Sequence, residues 1–131
     1  MEAALIAELL ATTNLTALVG QRINWLRRSQ GAALPAVVLH RIDGTPDYHL
    51  TAASGLVESR IQADCWGRTL AESLAVANAV EAALSGRRFE RGVIRFDAIL
   101  IADRRDDSFD ESGSALFRSS LDLMVHHASA S

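Results

Sequence analysis

The chain has 131 residues, of which 49% are hydrophobic, so it is long enough to form one domain around a single core. Its formal charge of −3 lacks the basic excess of a nucleic-acid-binding protein, and its single cysteine excludes an intramolecular disulfide and favours the cytosol. Arginine supplies every basic side chain other than histidine, which excludes Schiff-base lysine chemistry and the Walker phosphate lysine.

The N-terminal half predicts one helix followed by one strand and a long turn. Apolar residues recur at helical spacing through the first dozen residues, which contain no basic region, so we expect an amphipathic helix and no signal peptide. Thr13 or Asn14 is a candidate cap for one short turn that stops at Gly20, and residues 21–34 predict an exposed connector. Strand-forming residues follow Pro35, and the turn-forming segment 43–55 then predicts a hairpin with a long tip.

The C-terminal half predicts a strand, a helix and two more strands. Residues 56–66 alternate between an apolar and a polar face, which is typical of a half-buried antiparallel strand. Thr69 and Glu72 form a T-x-x-E capping box that opens a helix ending at Gly86. Further strands are predicted at 92–103 and 115–127, and the segment 104–114, "RRDDSFDESGS", is predicted to be a polar loop.

These elements predict the fold class. Their order is α-β-β-α-β-β, with no repeat and no internal linker in residues 1–131. We therefore expect a single α+β domain with a four-stranded antiparallel sheet and helices packed on one face.

Cys65 is the first candidate for chemistry. The alternation places it on the covered face of its strand, where a thiol behaves as a small hydrophobic side chain. A reactive cysteine needs a lowered pKa and solvent access, and the neighbouring Asp64 would raise the thiol pKa. A structural role is favoured over a nucleophile or a metal ligand.

The remaining candidates for chemistry are histidines and acidic residues. His126 and His127 point to opposite faces of one strand, so the metal alternative left open pairs one of them with His40 across the sheet. The acidic segment from Asp103 to Glu111 lacks the spacing of a calcium loop. No glycine-rich phosphate loop, nucleophile elbow or H-E-x-x-H motif is present. We expect no catalytic residue, no cofactor and no metal.

A polar sheet face and long loops remain as functional candidates. Such a face is either solvated or in contact with a neighbour, and the residues by themselves leave both alternatives open. Tyr48 and Leu50 stand out in the predicted hairpin tip as possible interface anchors. The candidate interface comprises the hairpin tip, the polar face of the next strand and the polar loop, namely Asp43, Thr45, Asp47, Tyr48, Leu50, Glu58, Arg60, Arg104, Arg105, Asp106 and Asp107.

Several stretches, which together cover nearly the whole chain, resemble one known family. They are "ALIAELLATTNLTALVGQRI", "ALPAVVLHRIDGTPDYHL", "GLVESRIQADCWGRTLAESLAVANAVEAAL" and "DDSFDESGSALFRSSLDLMVHH". In this order they resemble the tail-completion, or tail-terminator, proteins of long-tailed bacteriophages and gene transfer agents. The most specific part is the succession of strand, D-C-W-G, capping threonine and alanine-rich helix. "NWLRRSQ" and "ALFR" depart from the family pattern and affect local loop detail.

The resemblance implies a structural role. It implies a homo-oligomeric ring, expected to be a hexamer, that caps the tail tube, stops its polymerisation and docks to the head. The implied partners are other copies of the chain, the major tail tube protein and a head–tail connector protein, with no membrane and no sequence-specific nucleic acid. The ring would sit at the head-proximal end of the virion tail, with DNA free to pass through it, after assembly in the bacterial cytoplasm.

The same resemblance implies a structural role for the D-C-W-G segment. Asp64 and Trp66 are expected on the outer face while Cys65 fills the core, and Gly67 permits a sharp turn before the cap. The predicted structural residues are Cys65, Trp66, Gly67, Thr69 and Glu72. Two alternatives remain open, a small cytosolic α+β ligand-binding or regulatory module and another head–tail connector (neck) protein.

Overall fold

The computed structural model of the chain describes residues 1–28, 33–43 and 57–129. Its helices are α1 (Glu2–Leu10), α2 (Thr13–Val19) and α3 (Leu70–Leu84). Its strands are β1 (Ile23–Trp25), β2 (Ala36–Asp43), β3 (Val57–Gly67), β4 (Phe89–Arg91), β5 (Ile94–Glu111) and β6 (Ser114–Ser129). In this described part no single helix is long and apolar enough to span a membrane, although α1 and α2, joined by an 87° bend, reach that length and composition together.

The strands form one sheet in the order β1-β2-β3-β6-β5-β4. β1 runs parallel to β2, and every other neighbouring pair is antiparallel. The long strands β3, β5 and β6 make up the centre, with Cys65 opposite Ser119 and Trp66 opposite Arg118. The α+β class is therefore confirmed, whereas the predicted four strands are six and the sheet is mixed.

The core lies between the three helices and one face of the sheet, which we call the inner face. Leu5, Leu15 and Val80 from the helices pack in one buried cluster with inward side chains of the strands. The strand residues of this cluster include Val37, Leu39, Ile61, Ala63, Cys65, Phe96, Ile99, Leu121, Leu123 and Val125. The opposite side of the sheet, which we call the outer face, carries the alternate residues of the same strands.

Three short elements were missed by the sequence-based prediction. The predicted connector 21–34 contains β1, and the predicted short turn before Gly20 is the seven-residue helix α2. β4 precedes the predicted third strand and pairs with its beginning. Periodicity has little power over three to seven residues, and each of these elements is held by packing against a longer one.

The segment 104–114 was predicted to be a loop, and this prediction was wrong. β5 continues to Glu111 and pairs with β6 through a two-residue turn at Ser112 and Gly113, both of which have positive φ. Positive φ at both central residues is the geometry of the tight hairpin turn that matches strand twist. Beyond Gly67, the last partner of β6 on β3, this hairpin projects as an arm that we define as residues 109–116. Neither face of a projecting arm has to be apolar, so the periodicity signal is lost there.

Helix α3 begins at the predicted cap. The Oγ1 atom of Thr69 accepts a hydrogen bond from the N–H of Glu72, while the Glu72 carboxylate accepts from the N–H of Arg68. The sequence predicts an apolar stripe of Leu70, Leu74, Ala77, Val80 and Leu84. The last three of these are buried, but Leu70 is exposed, and Ser73, Val76 and Ala83 are buried as well. Alanine-rich helices have low contrast between their faces, so the sequence located the helix better than its buried side.

Gly67 was predicted to permit a sharp turn, but the structure gives a different reason for a glycine at this position. A Cβ atom there would lie 2.7 Å from the backbone nitrogen of Ser73 and 3.0 Å from Cβ of Glu72. Its φ is not in the left-handed region. The close approach of the strand end to the first turn of α3 therefore accounts for the glycine.

Candidate functional site

A polar network occupies the centre of the outer face. The Asp64 carboxylate accepts hydrogen bonds from the Ser120 hydroxyl and the Gln62 side-chain amide, each at 2.7 Å. Nδ1 of His40 lies 3.8 Å from the same carboxylate. Asp64 is only 5% exposed, and Ser120 is fully buried, although no described helix packs on this face. The network satisfies these buried polar groups from within the sheet.

Arg105 closes the network from β5. Its guanidinium donates to the carboxylates of Asp122 (2.9 Å) and Asp103 (3.2 Å) and to Oε1 of Gln62 (2.9 Å). The hydrogen bond to Asp122 raises the pKa of Arg105. The guanidinium therefore stays charged between two carboxylates that face each other across β5 and β6.

Next to this network lies a cluster of aromatic and arginine side chains. The Trp66 and Phe109 rings are 5.7 Å apart, and the Arg118 guanidinium lies 5.5 Å from the first ring and 4.8 Å from the second. The Arg28 guanidinium is 5.7 Å from the Trp66 ring and donates to the Glu111 carboxylate at 2.9 Å. We call Arg28, Trp66, Phe109 and Arg118 the aromatic–arginine cluster. It fixes the arm against the body of the subunit.

This cluster has the composition of a protein contact surface. Phe109 is 41% exposed, and Trp66 and the side chains of both arginines are partly exposed. Tryptophan, aromatic residues and arginine are enriched at the energetically dominant positions of protein interfaces. Stacking also holds the guanidinium groups in fixed positions, which lowers the entropy cost of engaging a partner.

The predicted interface residues of segment 104–107 do not form one surface. Arg104 and Asp106 point to the inner face, where they reach Glu81 of α3 (3.7 Å) and the Ser119 hydroxyl (2.8 Å). Arg105 and Asp107 point to the outer face, where Asp107 accepts from Arg118 at 3.0 Å. Successive side chains of a strand point to opposite faces. The four residues, which a loop could have presented on one surface, are therefore divided between the two faces of the sheet.

The other predicted interface residues lie at the far end of the sheet or outside the described residues. Glu58 faces His126 at 4.0 Å, and Arg60 is exposed with no ion pair among the described residues. Asp43 is the last residue of β2. The hairpin-tip residues Thr45, Asp47, Tyr48 and Leu50 lie outside the described part of the chain.

Arg28, Phe109 and Arg118 were missed as candidate interface residues. The sequence predicts a connector around Arg28, a loop around Phe109 and the polar face of a strand at Arg118. The S-G pair at 112–113, flanked by strand-compatible residues, was the signal that could have indicated the hairpin and brought Phe109 toward Trp66. Nothing local in the sequence indicated that Arg28 would reach this surface.

Nucleophilic chemistry has no support at Cys65. Its side chain is fully buried, and burial together with the neighbouring Asp64 raises the thiol pKa far above its ordinary value. In residues 1–28, 33–43 and 57–129, no group of three or more His, Cys, Asp or Glu side chains is placed to hold a metal ion.

Cys65→Ser is expected to give a folded protein that is less stable by roughly 1–3 kcal/mol, because the hydroxyl would be buried in an apolar core. Denaturant unfolding measures this loss. In the native wild-type protein, a thiol reagent should modify Cys65 only as fast as the chain unfolds. Rapid labelling without denaturant would contradict the buried placement.

His127 gives the fold a pH dependence. Burial lowers its pKa, and its Nε2 atom lies 2.9 Å from the Ser59 hydroxyl. Below its ordinary pKa of about 6.5, the unfolded chain binds more protons at this residue than the folded chain does. Stability should therefore decrease as the pH falls from 7 through 6.5 toward the lowered pKa. Thermal unfolding between pH 7.5 and 5 tests this, and His127→Gln should flatten that part of the profile.

The chain is similar to known proteins in both sequence and fold. The family model described as "Tail completion protein gp17" matches residues 3–127. Among solved structures, a chain from "Virion of native gene transfer agent (GTA) particle" is similar with a TM-score of 0.78 and 20% identity, over 98% of this chain and 94% of that one. A search of curated protein sequences finds no significant match. Since the family match spans both the sheet and all three helices, the chain belongs to the tail completion protein gp17 family.

Proposed function

We propose that this protein is a structural component of the tail of a phage or gene transfer agent and that it completes the tail as a ring. In this proposal the ring binds the end of the tail tube, stops further polymerisation and presents a surface for the head. The family match over residues 3–127 carries the proposal. The similarity to a chain of a gene transfer agent virion supports the same fold.

The outer face supplies a surface for such contacts. The aromatic–arginine cluster combines large rigid rings with charged groups that reach a partner without much reordering. The proposed partners are further copies of the chain, forming a hexamer, the major tail tube protein and a head–tail connector protein. We place the ring at the head-proximal end of the tail, with DNA passing through it, after assembly in the bacterial cytoplasm. We propose that catalysis and cofactors play no part.

The hairpin tip belongs to the proposal as a contact with neighbours. Tyr48 offers a rigid aromatic surface with a hydrogen-bonding end, and Leu50 adds apolar area. Glu58 and Arg60 lie near the end of β3 that follows this tip in the chain, so all four residues are proposed to serve one edge of the subunit.

A ligand-binding module would need a concave apolar pocket with convergent polar groups. A cleft of about 410 Å³ lies between the start of α1 and the β4–β5 turn, lined by residues such as Met1, Ala4, Val93 and Ile94. Among the described residues, Arg91 supplies the one charged side chain of its lining. The cleft is open to solvent, so it gives this alternative little support.

Deletion of the gene from its phage or transfer agent tests the proposal. We expect particles in which tails are over-long or separated from heads, seen by electron microscopy, and recovery when the wild-type gene is supplied. A neck protein would instead give tails of normal length that fail to join the head. Normal particles without the protein would overturn both structural assignments.

A further inference from the structure

Most backbone groups on the edge of β5 that faces away from β6 have no strand partner among the described residues. β4 pairs with β5 only at residues 94–96, and the N–H of Gly86 donates to the Ile99 carbonyl at 2.8 Å. From Leu100 to Glu111, no described strand lies along the side of β5 that faces away from β6. A long edge with free backbone donors and acceptors is a template for another strand, and monomeric proteins usually keep such edges short or covered.

The opposite edge of the sheet is formed by β1. Leu26 follows it, and its N–H still donates to the Leu39 carbonyl of β2, so the edge extends beyond the three residues of the strand. Within the described ranges no strand lies outside β1. Leu26 is 64% exposed, and Leu100 on the β5 edge is 51% exposed. Each open edge therefore presents an exposed leucine.

The two edges carry opposite charges. Residues 102–111 of β5 contain five carboxylates and two arginines, a formal charge of −3. Residues 21–28 contain three arginines and no acidic residue, a formal charge of +3. Arg28 and Glu111 pair with each other within the subunit at 2.9 Å, which removes one charge from each edge. Arg22 donates its Nε–H to a backbone carbonyl, and Arg27 is exposed with no ion pair among the described residues, so part of the remaining charge is available to a partner.

The directions of the strands suit a head-to-tail contact. β1 is parallel to β2, and the steps from β2 to β3, β6 and β5 are each antiparallel, so β5 runs opposite to β1. Rotation about a ring axis preserves strand direction along that axis. The β5 edge of one subunit would therefore meet the β1 edge of the next as an antiparallel pair.

The strand register places the exposed leucines and the opposite charges of the two edges at similar positions along the strand direction. Ile23 and Asp106 lie in one row across the sheet, through Val37, Cys65 and Ser119. Leu26 therefore lies close to the row of Asp103, with Leu100 a little farther along β5. The exposed leucines and the opposite charges would meet without a large shift between neighbouring subunits.

We infer that copies of this chain join by pairing the open β5 edge, residues 100–111, with the β1 edge, residues 23–27, of the next copy. The sheet then continues from subunit to subunit, and closure of the ring removes both open edges. This inference rests on the proposed ring and specifies the surface by which it assembles. The acidic part of one subunit would lie against the arginine-bearing edge of its neighbour.

The test uses particles made in the deletion strain with variants supplied in trans. Leu26→Asp and Leu100→Asp each place a carboxylate at the proposed contact, and we expect each to lower the yield of tailed particles at least about tenfold. Val93→Asp is the matched control, because Val93 is 69% exposed on the β4–β5 turn, away from the paired segments. Its yield should stay within about twofold of wild type. Thermal unfolding of the purified variants checks that all three fold.

Cross-linking in assembled particles tests the geometry directly. Leu26→Cys is combined in turn with Leu100→Cys, Ala102→Cys or Asp103→Cys, since a disulfide needs Cα atoms within about 7 Å. Mild oxidation should give covalent multimers for at least one pair, and for none when Leu26→Cys is combined with Val93→Cys. Normal yields from both leucine variants and no cross-link in particles with complete tails would overturn the edge contact while leaving the proposed function intact. Normal particles in the uncomplemented deletion strain would overturn the proposed function itself.

Discussion

Trp66→Ala is expected to leave a folded subunit that no longer supports tail completion. Removing the indole takes away the ring between Arg28 and Arg118 and exposes one side of Phe109, so the outer-face cluster loses its order. Truncating a central aromatic anchor of an interface commonly costs about 2 kcal/mol or more of binding free energy. Complementation of the deletion strain measures the loss as particle yield, and binding of the purified variant to tail tubes measures it directly.

Trp25→Ala serves as a comparison for stability alone, because Trp25 lies on the proposed β1 edge. Trp25 is partly buried against the hydrophobic core, so its loss should lower the free energy of unfolding more than the loss of Trp66 does. Trp66→Phe keeps an aromatic ring and should retain part of the activity. Full complementation by Trp66→Ala would show that the outer-face cluster is not a contact in the assembled tail.

Phe96→Ala is expected to destabilise the subunit by about 3–5 kcal/mol. Phe96 is fully buried, stacks on Phe89 at 4.6 Å and lies 6.4 Å from the His127 ring. Its removal leaves a cavity where β4, β5 and β6 meet, which the paired strands have little freedom to close. Denaturant unfolding followed by circular dichroism measures the change.

Phe109→Ala removes the same atoms from the same strand at an exposed site. It should cost no more than about 1.5 kcal/mol, the usual contribution of an aromatic pair, and should affect assembly more than stability. The two variants therefore separate the folding role of β5 from its proposed binding role. Equal losses of stability would mean that the arm is part of the core rather than a projecting contact element.

Strong periodicity let the sequence determine β3, and the capping box located the start of the long helix α3. In β3, Ile61, Ala63 and Cys65 are buried on the inner face, as their alternation predicts, because a half-buried strand must place every second side chain in the core. The cap at Thr69 was equally local, since a capping hydrogen bond spans three residues.

Tertiary structure decided the features that depend on distant residues. The sequence left open whether the polar face of β3 is solvated, whereas in the structure Asp64 on that face is buried and accepts hydrogen bonds from Gln62 and Ser120. The arm at residues 109–116 is ordered by pairing between β5 and β6 and by the contact of Phe109 with Trp66, neither of which depends on an apolar periodicity in the arm itself. Short elements such as β1 form because a longer neighbour offers them a free edge.

The interface residues show the same division between local and distant information. By itself, the sequence determined that the sheet has a polar face and that no lysine chemistry is available. Only the tertiary structure brought Arg28 and Glu111, 83 positions apart in the chain, to 2.9 Å and placed Arg28 near the Trp66 ring, which Arg118 also approaches. Such a surface is assembled by strand register, and strand register is set by the whole sheet rather than by any one segment.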